Sequence, residues 1–265
     1  MYLYAFPSTG SFEHTLPVRL IATVFGVLVA VLGYTYPVMR YLQRARIADS
    51  EQAEHTRVSP IIRRMLLAAC LSGVALLGTW GGTQQAPAWA DKLTDGNKSL
   101  HAKEHTLTWL SIGAIVGTLA AALIGDWLGR RKAYFLLCVL SFGSVYLLFQ
   151  TNTEFNNVFL VCAFVAGTCT ASFYGWLPLY LPELFRTNIR ATGQGFGFNF
   201  GRILAAVGSF QLGALVKHFS GGVDFGPIHL AGGYPAACTI LSLVYILGMI
   251  LIWFAPETKG QPLPD

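Results

Sequence analysis

Seven long apolar runs restrict what this chain can fold into. A helix needs about 20 apolar residues to cross the hydrocarbon core of a bilayer. Charged residues make up only 12% of the chain, against about 25% in soluble domains. The sequence therefore predicts an all-α membrane protein with about seven transmembrane helices. The runs are approximately 18–40, 64–86, 106–126, 133–151, 157–181, 193–217 and 233–254.

The basic residues are divided unevenly between the two sets of loops. Of the 18 lysines and arginines, twelve lie in loops on one side of the predicted spans, five lie on the other side, and Arg202 lies inside a span. Because basic loops tend to stay in the cytoplasm, we expect the N-terminus outside and the C-terminus inside. The expected location is a bacterial inner (plasma) membrane. The net charge of +5 then needs no nucleic acid partner.

The chemistry-bearing residues point away from an enzyme. The sequence contains no phosphate-binding loop, nucleophile elbow or zinc-protease motif. Buried thiols behave as small hydrophobic side chains, so we expect no catalytic residue, no metal and no cofactor. The five cysteines all lie in apolar runs without a histidine at ligand spacing, namely Cys70, Cys138, Cys162, Cys169 and Cys238.

Small residues recur at every fourth position in two of the predicted spans. This spacing lets helix backbones approach closely in lipid, so it predicts two tightly packed helix pairs. One stripe comprises Gly113, Gly117, Ala121 and Gly125, and the other comprises Gly193, Gly197 and Gly201.

A cluster of charges interrupts the apolar pattern in the stretch "GDWLGRRKAY", residues 125–134. Asp126 ends one span, Arg130 and Arg131 open the next, and Gly129 lies between them. The stretch predicts a tight helical hairpin at the membrane surface. Taken alone, it is best interpreted as a fixed clamp that sets topology.

Two further motifs change this interpretation. "PELFRTNIR" places Glu183 seven residues before Arg190, and "FAPETKG" places Glu257 after the last span. Together with "GDWLGRR", these motifs resemble the C-terminal half of the major facilitator superfamily, in its metabolite and sugar symporter branches. The hairpin motif of that family reads G-x-x-x-D-R-x-G-R-R, and here Ala122 replaces the first glycine and Trp127 the first arginine.

The resemblance covers roughly residues 16–265 and implies a domain organisation. The seven spans resemble helices six to twelve of a twelve-helix transporter, and helices one to five are absent. Residues 1–43 would form an N-terminal segment with the first of these helices, 44–63 a cytoplasmic linker, and 64–265 a six-helix C-terminal bundle with a short tail. The implied function is transport of a small polar metabolite, a sugar or organic acid, by alternating access.

The resemblance also implies that the cytoplasmic charges form a latch. In it, Arg130 and Arg131 pair with Glu183, and Glu257 pairs with a nearby arginine such as Arg190, when the transporter is open outward. Such pairs contribute about 0–1 kcal/mol when fully exposed. A weak pair suits a gate that must break in every cycle.

Polar side chains inside the spans are candidates for substrate contacts. Arg202 and Asn199 share a face, and Arg202 either binds an anionic or carboxylated substrate, or extends to the membrane surface or the cytoplasmic gate. Trp80 and Gln84 share a second face, which suits a hydroxylated or zwitterionic substrate, or else an aromatic belt at the membrane surface. Tyr174 lies next to a proline-kinked helix end, where it either lines the cavity or packs.

Several partners remain open at this stage. The surroundings are the lipid bilayer and a small-molecule substrate, with or without a proton. No acid or histidine lies deep in a predicted span, so proton-coupling residues would belong to a missing N-terminal half, or the protein is a facilitator. The chain could instead pair with a second copy, be inert, or act as a membrane partner or regulatory subunit.

Overall fold

A computed structural model describes residues 16–48, 58–226 and 228–264 of the chain. Seven helical segments in these residues are long and apolar enough to cross a membrane, which confirms the predicted all-α membrane architecture. Their bounds are Val24–Arg44, Pro60–Leu93, Lys98–Leu128, Arg130–Gln150, Asn157–Leu184, Arg190–His218 and Tyr234–Phe254.

The chain divides into two compact units, residues 1–56 and 57–265. The first unit contains helix α1, Leu16–Ala48, which includes Pro37. None of its apolar window is buried. Helix α1 extends into the segment predicted as a linker, and residues 49–57 of that segment lie outside the described residues.

The second unit contains ten α-helices and one β-hairpin among its described residues. The helices are α2 (Val58–Gly81), α3 (Ala86–Leu93), α4 (Ala102–Leu128), α5 (Arg130–Gln150), α6 (Asn157–Ala171), α7 (Phe173–Tyr180), α8 (Arg190–Phe210), α9 (Leu212–His218), α10 (Tyr234–Ser242) and α11 (Val244–Leu251). Short 3-10 turns cover Thr83–Gln85, Lys98–Leu100, Leu181–Leu184 and Ile252–Phe254.

The polar loops are more ordered than the sequence suggests. Part of the predicted loop 87–105 forms α3, whose Pro87 occupies an N-terminal helical position that suits proline. In the glycine-rich loop 218–232, strands β1 (Val223–Phe225) and β2 (Ile228–Leu230) pair antiparallel. Apolar periodicity reveals neither element because both are short.

The two glycine stripes bring helix backbones into contact, as predicted. A Cβ atom at Gly117 would collide with the carbonyl oxygen of Thr168, so α4 and α6 pack almost backbone to backbone. In the same way, a Cβ atom at Gly201 would lie 2.8 Å from the amide nitrogen of Gly73, which joins α8 to α2. Close backbone packing therefore holds α4 against α6 and α8 against α2.

A buried aromatic cluster joins α5 to α7. The ring of Tyr134 on α5 lies 4.7 Å from that of Trp176 and 5.1 Å from that of Phe173, both on α7. Trp176 in turn lies 4.7 Å from Tyr180. All four side chains are fully buried. The cluster fixes the segment that runs from α7 into the turn containing Glu183.

Candidate functional site

Gly129 makes the sharp reversal between α4 and α5 possible. Its φ is +88°, a backbone conformation that glycine adopts at little cost. A Cβ atom at this position would also lie 3.2 Å from a carboxylate oxygen of Glu257. Helix α5 therefore begins at Arg130 directly after the turn, which confirms the predicted hairpin.

Arg130 is held by two acids and one backbone carbonyl. Its Nε and Nη2 atoms donate to the two carboxylate oxygens of Glu183 at 2.9 and 2.6 Å. Its Nη1 atom donates to Asp126 at 2.8 Å and to the carbonyl of Gly125 at 2.9 Å. These residues, together with Glu257, are called the Arg130 cluster below.

The Arg130–Glu183 pair is buried rather than exposed. The two side chains are 7% and 12% exposed, whereas that of Asp126 is 68% exposed. The bidentate geometry is the strong form of an arginine–carboxylate interaction, and breaking a buried pair leaves an uncompensated charge. Breaking the Arg130–Glu183 pair therefore costs more than the roughly 0–1 kcal/mol expected for a fully exposed pair.

The side chain of Glu257 binds the N-terminus of α5. Its carboxylate accepts the backbone N–H groups of Arg130 at 2.8 Å and Arg131 at 3.1 Å, and also those of Thr258 and Lys259. The first N–H groups of a helix lack partners within that helix and attract negative charge. Burial works against ionisation of Glu257, but the four N–H donors outweigh it and lower the pKa of this carboxyl group.

The pairs suggested for Arg131 and Arg190 were wrong. The Nε atom of Arg131 donates to the carbonyl of Ala255 at 2.5 Å, not to Glu183. Arg190 donates to the carbonyls of Phe185 at 3.3 Å and Pro264 at 2.7 Å, not to Glu257. Both guanidinium groups bind backbone carbonyls because Arg130 and the α5 N-terminus already hold the two glutamates.

Acid should weaken the Glu257 contact. A carboxyl group whose pKa is lower in the folded than in the unfolded protein stabilises the folded state. This contribution is fully present above the pKa of the unfolded state, about 4.3, and is lost as the pH falls through the pKa of the folded state. We therefore expect Glu257→Gln to be less stable than wild type by about 1 kcal/mol at neutral pH. The difference should vanish at acid pH.

Thermal unfolding between pH 7 and pH 3 measures this difference. Glu154→Gln is the matched control, because Glu154 is exposed in the connection between α5 and α6. A Glu257→Gln protein whose deficit stayed constant across this range would contradict the assignment.

A cavity of about 500 Å³ lies between α2, α4 and the α6–α7 segment, bordered by the start of α3. Two of the predicted substrate residues, Gln84 and Tyr174, line it. Among the described residues the lining includes no charged side chain, but several hydroxyl and amide groups. The lining residues are Thr79, Thr83, Gln84, Pro87, Leu107, Leu110, Ser111, Ala114, Ile115, Thr118, Gly167, Thr170, Ala171 and Tyr174.

Trp80 and Arg202, two more of the predicted substrate residues, are not among the residues that line this cavity. Arg202 itself is exposed, and its guanidinium carbon lies 4.9 Å from the ring centre of Phe198.

Asn199 is not among the residues that line this cavity. Its amide donates to the carbonyl of Gly195 at 2.9 Å, within α8. The hydroxyl groups of Thr79 and Thr170 in the cavity wall were not selected from the sequence, because a threonine in an apolar helix usually bonds to its own backbone. Both do so, to Ala75 and Ala166.

Comparison with known proteins agrees with these features. The family described as sugar (and other) transporter matches residues 15–260. A probable 4-methylmuconolactone transporter from Cupriavidus pinatubonensis is 26% identical over 82% of this chain and 50% of its own length. The cis,cis-muconate transport protein of Acinetobacter baylyi is 26% identical over 94% of the chain and 59% of its own length.

A more distant relative is the sialic acid transporter of Escherichia coli, which is 22% identical over 69% of the chain and 42% of its own length. The chain thus spans about half the length of the curated relatives that it matches.

Proposed function

The chain belongs to the sugar (and other) transporter family, and on that premise we propose that it forms the C-terminal half of a secondary transporter of the major facilitator superfamily. This half is a carrier rather than an enzyme, and it moves a small organic molecule by rocking against a second half. The carrying observation is that Tyr174, which lines the cavity, and Glu183, which binds the buried Arg130, lie on one helical segment.

The segment from Phe173 to Leu184 supports the coupling of these two sites. Tyr174 near its start lines the cavity, and Glu183 near its end binds Arg130. Nine helical residues span roughly 13 Å, and the buried rings of Trp176 and Tyr180 lie between the two positions. A substrate that displaces Tyr174 would therefore move Glu183 and strain its contact with Arg130.

The Arg130 cluster is the proposed cytoplasmic latch. It ties the α4–α5 turn to the end of the α7 segment and to the chain after α11. The excess of basic residues on this side supports a cytoplasmic position in a bacterial inner membrane, with the C-terminus inside. The latch holds the cytoplasmic end closed and must open once in each cycle.

The proposed substrate is a small organic acid. Two relatives are named for muconate and for sialic acid. In this chain, Arg202 supplies the cation that a carboxylate needs, and the neutral cavity beside Tyr174 accepts the uncharged part of the molecule. A neutral sugar is the alternative that the family name suggests.

Replacing Arg202 by glutamine tests this assignment. The change removes a charge-assisted contact of about 1.5–3 kcal/mol, so we expect 10- to 100-fold weaker binding of a carboxylate. The measurement is the thermal stabilisation of the native protein by cis,cis-muconate and by glucose.

Arg186→Gln is the matched control for this experiment, because Arg186 is also exposed but lies between the spans Asn157–Leu184 and Arg190–His218, whereas Arg202 lies inside a span. Stabilisation by glucose alone, equal in wild type and Arg202→Gln, would contradict an organic acid as substrate. Coupling to a proton remains a prediction that the same protein can test in vesicles with an imposed pH gradient.

The proposed partner is an N-terminal half of the same transporter. Helix α4 presents a continuous exposed row of apolar side chains along one face, formed by Ile112, Ile115, Leu119 and Leu123. In a complete transporter, the second half or lipid covers such a face. A second copy of this chain is the alternative partner.

The size of the native protein separates the remaining alternatives. It can be detected in membranes through a tag placed after Asp265. A band about twice the 28.8 kDa of this chain supports a complete transporter with both halves. A band at that mass favours a chain that works with a separate partner, or that serves as a regulatory subunit without transport of its own.

A further inference from the structure

Residues 255–264 form an extended segment, called the strap below, that contacts three places where helices begin or end. The strap binds the α4–α5 turn, since Glu257 accepts the N–H groups of Arg130 and Arg131, and Lys259 donates to the carbonyl of Trp127 at 2.8 Å. It binds the end of α7, since Tyr180 donates to the carbonyl of Pro256 at 2.7 Å. Its far end accepts the bond from Arg190 described above.

Thr258 occupies the point at which this strap meets the buried ion pair. Its hydroxyl donates to Oε2 of Glu183 at 2.6 Å, the same oxygen that accepts Nε of Arg130. Thr258 is 7% exposed. Its neighbour Glu257 is bound to the α5 N-terminus, so the threonine can reach Glu183 only while the strap is docked.

We propose that Thr258 is a positioning residue that couples docking of the strap to closure of the latch. This inference depends on the proposed function for its meaning in a transport cycle. A buried ion pair is favourable only when further hydrogen bonds satisfy its remaining lone pairs. The Thr258 hydroxyl supplies such a bond, and it fixes the carboxylate in the plane that Arg130 needs for two parallel contacts.

The hydroxyl and the methyl group of Thr258 make opposite predictions for two substitutions. Thr258→Val keeps the shape and removes the donor, so the strap and the Glu183 turn should open more often. Thr258→Ser keeps the donor and removes the methyl group, so both should remain closed. If Thr258 merely packed, the valine variant would behave as wild type and the serine variant would loosen.

Hydrogen exchange of backbone amides measures both ends of the coupling. The amides of Arg130 and Arg131 report docking of Glu257, and the amide of Phe185, which donates to Pro182, reports the turn that contains Glu183. We expect about tenfold faster exchange at both places in Thr258→Val, the effect of losing one bond to a charged group. Thr258→Ser should exchange at the wild-type rate.

Thr187→Val is the matched control, since the Thr187 hydroxyl binds the far end of the strap at Pro264, at 3.4 Å, without touching the ion pair. It should leave exchange at Arg130, Arg131 and Phe185 unchanged. Wild-type exchange in Thr258→Val, or faster exchange in Thr258→Ser, would overturn the proposal. The experiment uses no substrate, so its result is independent of whether the Arg202 experiment identifies one.

Discussion

Glu183→Gln is expected to open the end of the bundle that the Arg130 cluster holds closed and, on the proposed function, to favour an inward-open state. The substitution leaves Arg130 buried with only an exposed carboxylate, that of Asp126, as a counter-charge. Breaking a buried, bidentate pair costs on the order of 3 kcal/mol. That is enough to change the ratio of closed to open latch more than 100-fold.

A cysteine introduced at Leu184 reports the opening. Leu184 is buried beside Glu183, so a water-soluble maleimide should react with this cysteine much faster in the Glu183→Gln background. Mass spectrometry of the labelled peptide separates the signal from that of the five native cysteines.

Asp126→Asn is the matched control, because it makes the same acid-to-amide change on the same arginine at a position that is 68% exposed. Exposed pairs contribute about 0–1 kcal/mol, so labelling should change little. Equal labelling in both variants and in wild type would mean that the Arg130–Glu183 pair does not hold this end closed.

The large elements of this fold can be predicted from sequence because they follow from solvent and geometry alone. The bilayer fixes the length of each span, and the four-residue spacing of Gly113 and Gly117 fixes which face packs most closely. The turn at Gly129 is predictable for the same reason, since a reversal between two helices needs a residue that tolerates a positive φ. None of these inferences requires knowledge of a distant contact.

The partners within the site are harder to predict because they come from segments that are remote in sequence. Thr258 lies 75 residues from Glu183, and no local pattern distinguishes its hydroxyl from that of another tail residue. The resemblance implies an arginine such as Arg190 as the partner of Glu257, whereas four backbone N–H groups bind this carboxylate. A charge pattern identifies the acids and bases, but it does not include the helix terminus as a cation.

The burial of each charged side chain is also difficult to predict from the sequence. Asp126 and Glu183 both bind Arg130, yet one carboxylate is largely exposed and the other nearly buried. Their positions differ because Glu183 follows the aromatic segment that packs against Tyr134, whereas Asp126 lies on the outer side of its helix end. The strength assigned to each pair depends on this difference rather than on residue type.

Gly117→Ala is expected to destabilise the protein although it adds a single methyl group. The new Cβ atom would collide with the carbonyl oxygen and the carbonyl carbon of Thr168. Both are backbone atoms, so no side-chain rotation relieves the contact and α4 must move away from α6. Overpacking of this kind costs about 3 kcal/mol at the upper end of its usual range, or roughly 8 °C in the unfolding temperature of a chain of this size.

On the proposed function, the same movement should also weaken substrate binding, because α4 and α6 contribute Ser111, Thr118 and Thr170 to the wall of the cavity. Gly143→Ala is the matched control in a helix interior, since a Cβ atom at Gly143 meets nothing within 4 Å. There the better helix propensity of alanine should add up to about 1 kcal/mol. The two substitutions are chemically identical, so opposite shifts in thermal unfolding would isolate the backbone contact between α4 and α6. Equal shifts would mean that these helices do not pack as closely as the glycine stripe requires.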